Sequence, residues 1–276
     1  VLNMAQPAAT KNIRELEETL GISLFKRSSR GVTPTLYGEV IIKHAKLIIS
    51  QIHHVSEELT SLQHGVTGHI TVGTLLAATS ELLPRSIAIL RKERPNITIT
   101  VREGTNDVLM PALRVGDIDV VLGRLPQFRE REGLKQEVLY NDEFSIVVRK
   151  GHPLSKKKKL KLGDLLEEDW ILALPQTSLR RQFEKEFRDA GHEPPLVAVE
   201  SVSILNNYHL LLDSDMLCVM PNMVAQRLDG LATLPIKFDA SPTAVGATTR
   251  ANANLAPAVD YFLDTLRRVS ESMDST

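Results

Sequence analysis

Basic side chains near the start of the chain have the types and the spacing needed to contact a polyanion. Lys11 and Arg14 lie about one helical turn apart, and Arg27 and Arg30 lie on either side of a pair of serines. Lysine and arginine at such positions can neutralise the phosphate groups of a nucleic acid. The net charge of the chain is only −1, so overall charge does not indicate such a partner. On charge alone, a solvated basic face is the competing interpretation.

A second set of polar side chains lies at the ends of predicted strands in the larger part of the chain. Arg124 follows an apolar strand, and the hydroxyl residues Thr177, Ser201 and Ser203 come at the start of predicted helices. The free N–H groups and the dipole of a helix N-terminus favour an anion, and a guanidinium group can bind a carboxylate through two hydrogen bonds. These residues indicate a site for a small organic acid. A salt bridge from Arg124 to a neighbouring acidic residue is an equally good interpretation of that arginine.

Other reactive side chains indicate no further chemistry. Cys218 is the only cysteine and lies among apolar residues, so we expect it in the core of a protein of the reducing cytoplasm. His53 and His54 are adjacent, whereas a metal site on a helix needs ligands one turn apart, so we expect no metal and no cofactor. No dinucleotide, phosphate-loop, serine-hydrolase or zinc-protease motif is present, which argues against an enzyme. No run approaches the roughly 20 apolar residues of a membrane span.

The basic residues of the first set must be positioned by a small N-terminal domain. A helix is predicted over residues 6–20, because Pro7 suits its first turn and Gly21 suits the residue after its end. Short apolar segments on both sides of the turn at residues 28–31 predict a hairpin. A helix, a short connection and a basic hairpin are typical of a winged helix-turn-helix, which we expect over residues 1–35.

A long helix is predicted next, over residues 36–64. Its apolar residues alternate steps of four and three, at Ile41, Ala45, Ile48, Ile52, Val55, Leu59 and Leu62. Such a narrow stripe is typical of a coiled-coil seam, whereas a helix packed in a globular core has a broader apolar face. We therefore expect a linker helix that dimerises the chain, with ordinary packing as the alternative, and a hinge at residues 65–68.

The remaining residues, 69–276, alternate predicted strands and helices. Strands are predicted at 70–73, 97–101, 118–122, 144–148, 170–173, 196–199 and 216–220, and helices at 79–93, 105–115, 178–190, 203–213 and 256–270. Parallel neighbours need helical crossovers, so this order predicts an α/β fold with mostly parallel sheets in two lobes. We expect the first lobe to comprise about residues 69–141 and 251–276, and the second about 142–250. The crevice at the carboxyl ends of the strands is the expected ligand site.

Several different short motifs lie at specific places along the chain. They are Gln6-Pro7-Ala8, Ile13-Arg14-Glu15-Leu16-Glu17, Leu20-Gly21, Leu24-Phe25, Arg27–Thr35 with Gly38, Leu83-Pro84, Gly116–Asp119 and Gly151–Leu154. Together they cover nearly the whole chain and resemble those of the LysR-type bacterial transcription regulators. The resemblance implies a winged helix-turn-helix and a long linker helix, followed by a two-lobed α/β effector domain like the periplasmic binding proteins. It also implies a further helix before Val1, so the DNA-binding domain is expected to lack its first helix here. Pro34 departs from the family's frequent leucine, a small change in wing packing.

By this resemblance, the helix at residues 6–20 enters the major groove of DNA and the hairpin is the wing. The expected DNA contacts are Gln6, Pro7, Ala8, Thr10, Lys11, Arg14, Arg27, Arg30 and Thr33. Two such domains joined through the long helix predict a double-stranded site with dyad symmetry. The family's larger domains also pair, which implies dimers and tetramers.

The resemblance likewise implies a small-molecule effector, an organic acid, bound between the lobes. The expected contacts are Thr74, Leu75, Ala77, Ala78, Thr79, Thr105, Arg124, Thr177, Ser201 and Ser203. Effector binding would change the relative orientation of the lobes and hence the spacing of the DNA-binding domains. A solute-binding transport protein and an enzyme are the competing classes, but the first does not need residues 1–64 and the second lacks its motifs. Salt-dependent DNA binding distinguishes the regulator from both.

Overall fold

The computed structural model of the protein describes residues 6–28, 31–64, 67–125, 132–157, 159–236, 238, 243–251 and 254–274. Its internal contacts divide the chain into two compact units, Val1–His54 and Val55–Thr276. The division falls inside a long helix, which begins in the first unit and ends in the second.

The first unit consists of two helices and a hairpin. Their bounds are Gln6–Leu20 for α1, Phe25–Ser28 for β1, Gly31–Pro34 for β2 and Leu36–His64 for α2, of which the first unit holds the part up to His54. The two strands are antiparallel, and Gly31 has a φ of 122°, a backbone conformation that glycine adopts far more readily than other residues. The predicted helix, hairpin and long helix are confirmed.

Contacts around Leu24 hold the elements of this unit together. Leu24 is only 2% exposed, and the N–H groups of Leu24 and Phe25 both donate to Oε1 of Glu17, at 2.6 and 3.1 Å. At Gly38 a Cβ atom would lie 2.0 Å from the Leu24 carbonyl oxygen, so α2 approaches the start of β1 at a point where any side chain would clash. The Gly38 N–H donates to the hydroxyl of Thr35 at 3.1 Å. The glycine of the sequence motif is therefore required by a close backbone contact.

The first lobe of the second unit is a five-stranded mixed sheet covered by helices. Its strands are β3 Gly68–Thr74, β4 Ile97–Glu103, β5 Val120–Arg124, β6 Leu134–Asp142 and β12 Thr243–Arg250, and its helices are α3 Leu82–Glu93, α4 Asn106–Arg114 and α8 Pro257–Asp274. The strand order is β4-β3-β5-β12-β6, with β3 parallel to β4 and β5 and with β12 antiparallel to both of its neighbours. Apolar residues of α3 and α8 form the core with one face of the sheet.

Two strands of this sheet, β6 and β12, are absent from the sequence prediction, and β12 changes the lobe boundary. Residues 243–250 were expected in the second lobe, yet they pair with β5 and β6 of the first, so that part of the prediction is wrong. The physical reason is that β12 is buried on both faces, with six consecutive buried residues from Val245 onward. Small and hydroxyl residues fill most of these positions and Arg250 ends the strand, so it shows neither apolar alternation nor an apolar run.

The second lobe is also a five-stranded mixed sheet with helices. Its strands are β7 Phe144–Arg149, β8 Trp170–Leu172, β9 Val197–Glu200, β10 Leu217–Pro221 and β11 Leu231–Thr233, and its helices are α5 Ser178–Asp189, α6 Ile204–Leu212 and α7 Asn222–Ala225. The strand order is β11-β7-β10-β8-β9. Trp170 is fully buried against α5, with ring centroids 4.9 Å from Phe183 and 6.1 Å from Phe187. The short elements β11 and α7 were not predicted.

The two lobes meet where the chain crosses between them. It crosses once between β6 and β7 and returns between β11 and β12. Met223 of α7 packs against the core of the first lobe, and Nη2 of Arg227 lies 2.7 Å from Oε2 of Glu81 across the junction. These contacts connect the lobes behind a cavity that both of them line.

Candidate effector cavity and DNA-binding surface

A cavity of about 440 Å³ lies between the two lobes, at the ends of strands from both sheets. Its lining residues are Leu75, Leu76, Ala77, Glu103, Gly104, Thr105, Asn106, Arg124, Ala173, Thr177, Ser178, Leu179, Ser201, Val202, Ser203, Ile204, Leu205, Asn207, Cys218, Val219 and Pro221. The volume falls within the range of roughly 300–1,000 Å³ that is usual for small-molecule sites. A mostly apolar wall with a few polar groups is also usual for such sites.

Most of the effector contacts expected from sequence are brought together here. The cavity is lined by Leu75, Ala77, Thr105, Arg124, Thr177, Ser201 and Ser203. Thr74, Ala78 and Thr79 do not line it. Thr74 and Ala78 are buried, and the Thr79 hydroxyl donates to the Leu76 carbonyl at 2.8 Å. Ala78 and Thr79 lie at and after the end of a 3₁₀ turn at Leu76–Ala78, which directs them away from the cavity, whereas Thr74 is buried at the end of β3 before that turn.

Three helix N-termini point their first residues at the cavity. Thr105 precedes α4, and its side chain caps no N–H group of that helix. Thr177 caps α5 by accepting from the Arg180 N–H at 3.3 Å, and Ser203 caps α6. Ser201, two residues before this cap, accepts from the Ser203 N–H at 3.2 Å. Hydroxyl groups and the positive ends of three helix dipoles therefore surround one volume.

Arg124 lies in the wall between the lobes. It is only 4% exposed, and its Nη1 donates to Oε1 of Gln182 and its Nη2 to the Glu143 carbonyl, both at 3.3 Å. Its Nε has no hydrogen-bond partner among the residues that the structure describes. Burial lowers the pKa of this guanidinium, and the nearby negative charge of Asp142 opposes that effect. In the described ranges no carboxylate lies within 4 Å as an ion pair for Arg124, so the salt-bridge interpretation holds only as a longer-range interaction.

Asp142 is the acidic residue whose charge has the largest effect on the pKa of Arg124. Its side chain is only 4% exposed, and in the described part of the chain its Oδ2 has no hydrogen-bond partner. Burial raises the pKa of Asp142 from 3.8 to about 6, although Arg124 and the N–H groups of Met223 and Glu143 act in the opposite direction. A carboxyl group that titrates near neutral pH therefore sits at the crossing between the lobes.

Several lining residues were missed by sequence analysis. Asn207 is 6% exposed, with its Nδ2 donating to the Ser201 carbonyl at 3.4 Å, and it lies one turn after the Ser203 cap. That helical spacing is the signal that could have found it. Cys218 was expected in the core; it is buried among core residues and also contributes to the cavity wall. Burial raises the pKa of its thiol to about 12.

The expected DNA contacts lie on the surface of the first unit. Gln6, Pro7, Ala8, Thr10, Lys11 and Arg14 are exposed on α1, Arg27 is exposed on β1 and Thr33 on β2. Two of the cations have partners on the next turn: Nζ of Lys11 lies 3.6 Å from Glu15 and Nε of Arg14 lies 2.9 Å from Glu18. Arg30 lies outside the described residues.

The apolar stripe of α2 is uncovered over most of its length. Ile48, Ile52, Val55 and Leu59 are each between 55% and 63% exposed. Ile41 is half-buried and Ala45 is exposed, and the side chain of Leu62 lies outside the described residues. Within those residues no helix has the length and apolar character that a bilayer crossing requires, and no three His, Cys, Asp or Glu side chains are grouped as metal ligands.

Comparison with known proteins gives consistent matches over the same segments. The LysR substrate binding domain matches residues 63–271, and the bacterial regulatory helix-turn-helix protein of the lysR family matches residues 1–39. The regulator GbpR of Azospirillum brasilense is 36% identical over 82% of this chain and 66% of its own length, and PcaQ of Agrobacterium fabrum is 31% identical over 98% and 88%. The structure of the BenM effector binding domain with its effector benzoate is 25% identical and superposes with a TM-score of 0.62, over 76% of this chain and 95% of that one.

A winged helix-turn-helix and a two-lobed α/β domain of the substrate-binding type, present in one chain, define a regulator of transcription and not an enzyme. The chain belongs to the LysR family of bacterial transcription regulators. The resemblance drawn from the sequence motifs and the predicted two-lobed α/β fold class are both confirmed. The expectation of mostly parallel sheets is wrong, because two of the four strand pairings in each sheet are antiparallel.

Proposed function

We propose that this regulator binds double-stranded DNA at a dyad-symmetric site and that a small organic acid, held between its lobes, controls transcription from that site. The observation that carries the proposal is the meeting of three helix N-termini and a buried arginine at one largely apolar cavity. The expected localisation is the cytoplasm, where such a regulator would meet both DNA and metabolites.

The cavity favours an acid with a compact apolar body. N–H groups and hydroxyls at the starts of α4, α5 and α6 supply donors for a carboxylate, and Arg124 adds positive charge to the wall. The aliphatic lining residues, such as Leu75 and Leu205, supply apolar contacts for the remainder of the ligand. The related BenM domain was solved with benzoate, a ligand of this chemical type.

Matched acids and amides test the effector. We expect benzoate, or another member of a panel of aromatic and sugar-derived acids, to raise the melting temperature of the protein, while the corresponding neutral amide does not. Arg124→Ala is expected to weaken binding of the acid. Amides that bind as tightly as their acids, or an unchanged acid affinity in Arg124→Ala, would contradict a charge-selective cavity.

The exposed surface of α1 favours contact with DNA. The i,i+4 pairs of Lys11 and Arg14 are on the surface, where such pairs contribute only about 0.3–0.5 kcal/mol, so they do not prevent either cation from binding a phosphate instead. A recognition helix presents its first turns to base edges, and Thr10 and Gln6 lie in those turns.

The DNA test is fluorescence anisotropy of the full-length regulator on its own upstream region across a salt series. We expect the affinity to fall steeply with salt, and Lys11→Ala to reduce the logarithmic salt slope by about one, because one phosphate contact is lost. Lys92→Ala, an exposed lysine on α3 in the other unit, is the matched control and should leave the slope unchanged. Affinity no greater than for random DNA would refute the proposed function.

We also propose that the uncovered stripe of α2 pairs with the same stripe of a second chain. Four exposed large apolar residues at heptad spacing are costly in water and typical of a coiled-coil seam. Two linked DNA-binding domains then bind the two halves of one site, and pairing of the effector domains would extend dimers to tetramers.

A further inference from the structure

One side chain of the second lobe is bonded to two strands of the first. Oε1 of Gln182, on α5, accepts from Nη1 of Arg124 at 3.3 Å and from the hydroxyl of Thr243 at 3.1 Å. Arg124 ends β5 and Thr243 begins β12, so both donors belong to the first lobe. We call this group of three residues the inter-lobe bridge.

The inter-lobe bridge is linked to the cavity at both of its ends. Arg124 itself lines the cavity. On the other side, α5 begins with Thr177 and Ser178, which also line it, and Gln182 lies about one turn further along the same helix. A ligand that displaces the start of α5 or the guanidinium of Arg124 therefore changes the geometry of the bridge.

The helix that carries Gln182 is fixed within its own lobe. Phe183 and Phe187 are fully buried on α5, and their rings pack with each other at 4.9 Å and with Trp170 of β8. Because interiors are closely packed, α5 moves with the sheet of the second lobe and not independently of it. Breaking the bridge thus affects the position of the whole lobe and not only that of a single side chain, although the contacts of Met223 and Arg227 at the chain crossing remain.

One member of the bridge, Arg124, is also shielded from water, whereas Gln182 and Thr243 are half-buried. Arg124 is 96% buried and its second bond goes to the Glu143 carbonyl at the chain crossing, so its guanidinium cannot turn to solvent in this arrangement of the lobes. A hydrogen bond with one charged partner contributes more free energy than a neutral one. Removal of the Gln182 acceptor would also leave a buried donor of Arg124 unsatisfied.

From this arrangement we propose that Gln182 holds the two lobes in the orientation in which both of them line the cavity, and so sets how readily an effector can close or reorient them. The proposal rests on the proposed function only for the role of the effector. Loss of one bond to a charged donor corresponds to about a tenfold change in the ratio of the two lobe orientations.

The test measures the distance between the lobes in the full-length protein without effector or DNA. Spin labels are placed on Lys92→Cys in α3 and Lys150→Cys after β7, both exposed, and the labelled protein is mixed with an excess of unlabelled protein. Double electron–electron resonance then gives the distance distribution within one chain of each assembly. Cys218 can remain, because its buried thiol has a pKa raised to about 12 and does not compete for the label. Absence of ligand and DNA makes failure of this test separate from failure of the proposed function.

Four variants distinguish the outcomes. Gln182→Leu, which removes both hydrogen bonds, is expected to shift or broaden the distribution. Gln182→Glu keeps the acceptor oxygens and should retain the parent distribution, and Arg181→Leu, an exposed neighbour on α5, is the matched control and should do the same. Thr243→Val removes a single donor and should give a smaller shift, which keeps the test decisive if Gln182→Leu does not fold. A parent-like distribution in a folded Gln182→Leu protein, or in Thr243→Val in its place, would overturn the proposal.

Discussion

The carboxyl group of Asp142 makes the stability of the protein depend on pH in an unusual direction. Burial raises its pKa from 3.8 to about 6, so the folded protein binds this proton more tightly than the unfolded chain does. The stabilisation from the bound proton is complete below the unfolded value of 3.8 and is lost as the pH rises through about 6. Most carboxyl groups with pKa shifts in folded proteins act in the opposite direction, because ion pairs and hydrogen bonds lower their pKa.

The expected magnitude follows from the two pKa values. Each unit of pKa corresponds to 1.36 kcal/mol, so a change from 3.8 to about 6 corresponds to about 3 kcal/mol of unfolding free energy in full, of which about 2 kcal/mol falls between pH 4 and pH 8. The side chain is only 4% exposed, so solvent screening does not reduce this value by much. The positive charge of Arg124 favours the charged form of Asp142, and it is the largest of the effects that oppose the rise of this pKa to about 6.

Asp142→Asn isolates this contribution, because asparagine has nearly the same shape and no charge at any pH. Glu81, Glu93, Glu137 and Glu184 have lowered pKa values and stabilise the fold as the pH rises, but they are present in both proteins and cancel in the difference. We expect the stability of the variant relative to the parent to increase by about 2 kcal/mol from pH 4 to pH 8.

Urea unfolding at a series of pH values measures this difference. The fluorescence of Trp170, the only tryptophan and fully buried in the second lobe, reports the unfolding transition. A difference that does not change with pH would refute the argument from burial. A difference that grows in favour of the parent as the pH rises would mean that attraction between Asp142 and Arg124 exceeds the cost of burying the charge.

Two further substitutions test the assembly and the core. Ile52→Asp places a charge in the exposed stripe of α2, and a charge is not tolerated at a coiled-coil seam. Analytical ultracentrifugation is therefore expected to show a smaller species than the parent protein forms. An unchanged mass would argue that α2 does not form the interface. Phe183→Ala removes a fully buried ring from the contact with Trp170 and is expected to cost about 3–5 kcal/mol of unfolding free energy. A loss of unfolding free energy below about 1 kcal/mol would show that α5 is not anchored in the core.

The sequence predicts those elements whose buried residues are apolar or whose ends carry strong signals. α1 begins and ends where Pro7 and Gly21 place it, and the strands β7 and β10 are apolar runs because both of their faces are covered by core residues. β12 is also buried, but alanine, glycine and threonine occupy most of its positions, and these residues do not separate a buried strand from a polar loop. Pattern alone therefore misassigns a central strand, and the lobe boundary moves with it.

The sequence predicts those cavity-lining residues that lie at the N-termini of helices. Thr105, Thr177 and Ser203 are residues whose type favours capping, and each of them stands directly before a helix that starts at the cavity. Thr79 is also a hydroxyl residue, but it follows the 3₁₀ turn after β3 and points away from the cavity, and no residue type marks where that turn begins. Thr74, on β3 before the turn, is buried. The sequence does not predict which residues line the cavity where the direction of a side chain depends on a short 3₁₀ turn such as Leu76–Ala78.

Pairing across the lobes is beyond what any sequence pattern can show. Arg124, Asp142, Gln182 and Thr243 lie on four different elements, and the type of each residue is compatible with a surface position. Only folding brings one carboxamide oxygen to two donors and places a carboxyl group in their neighbourhood without an ion-pair contact. A buried polar group costs free energy unless it is satisfied, and among the described residues Nε of Arg124 and Oδ2 of Asp142 have no hydrogen-bond partner. No sequence pattern could therefore identify the contact by which we propose that Gln182 holds the two lobes in one orientation, because that contact exists only once three separate elements have come together.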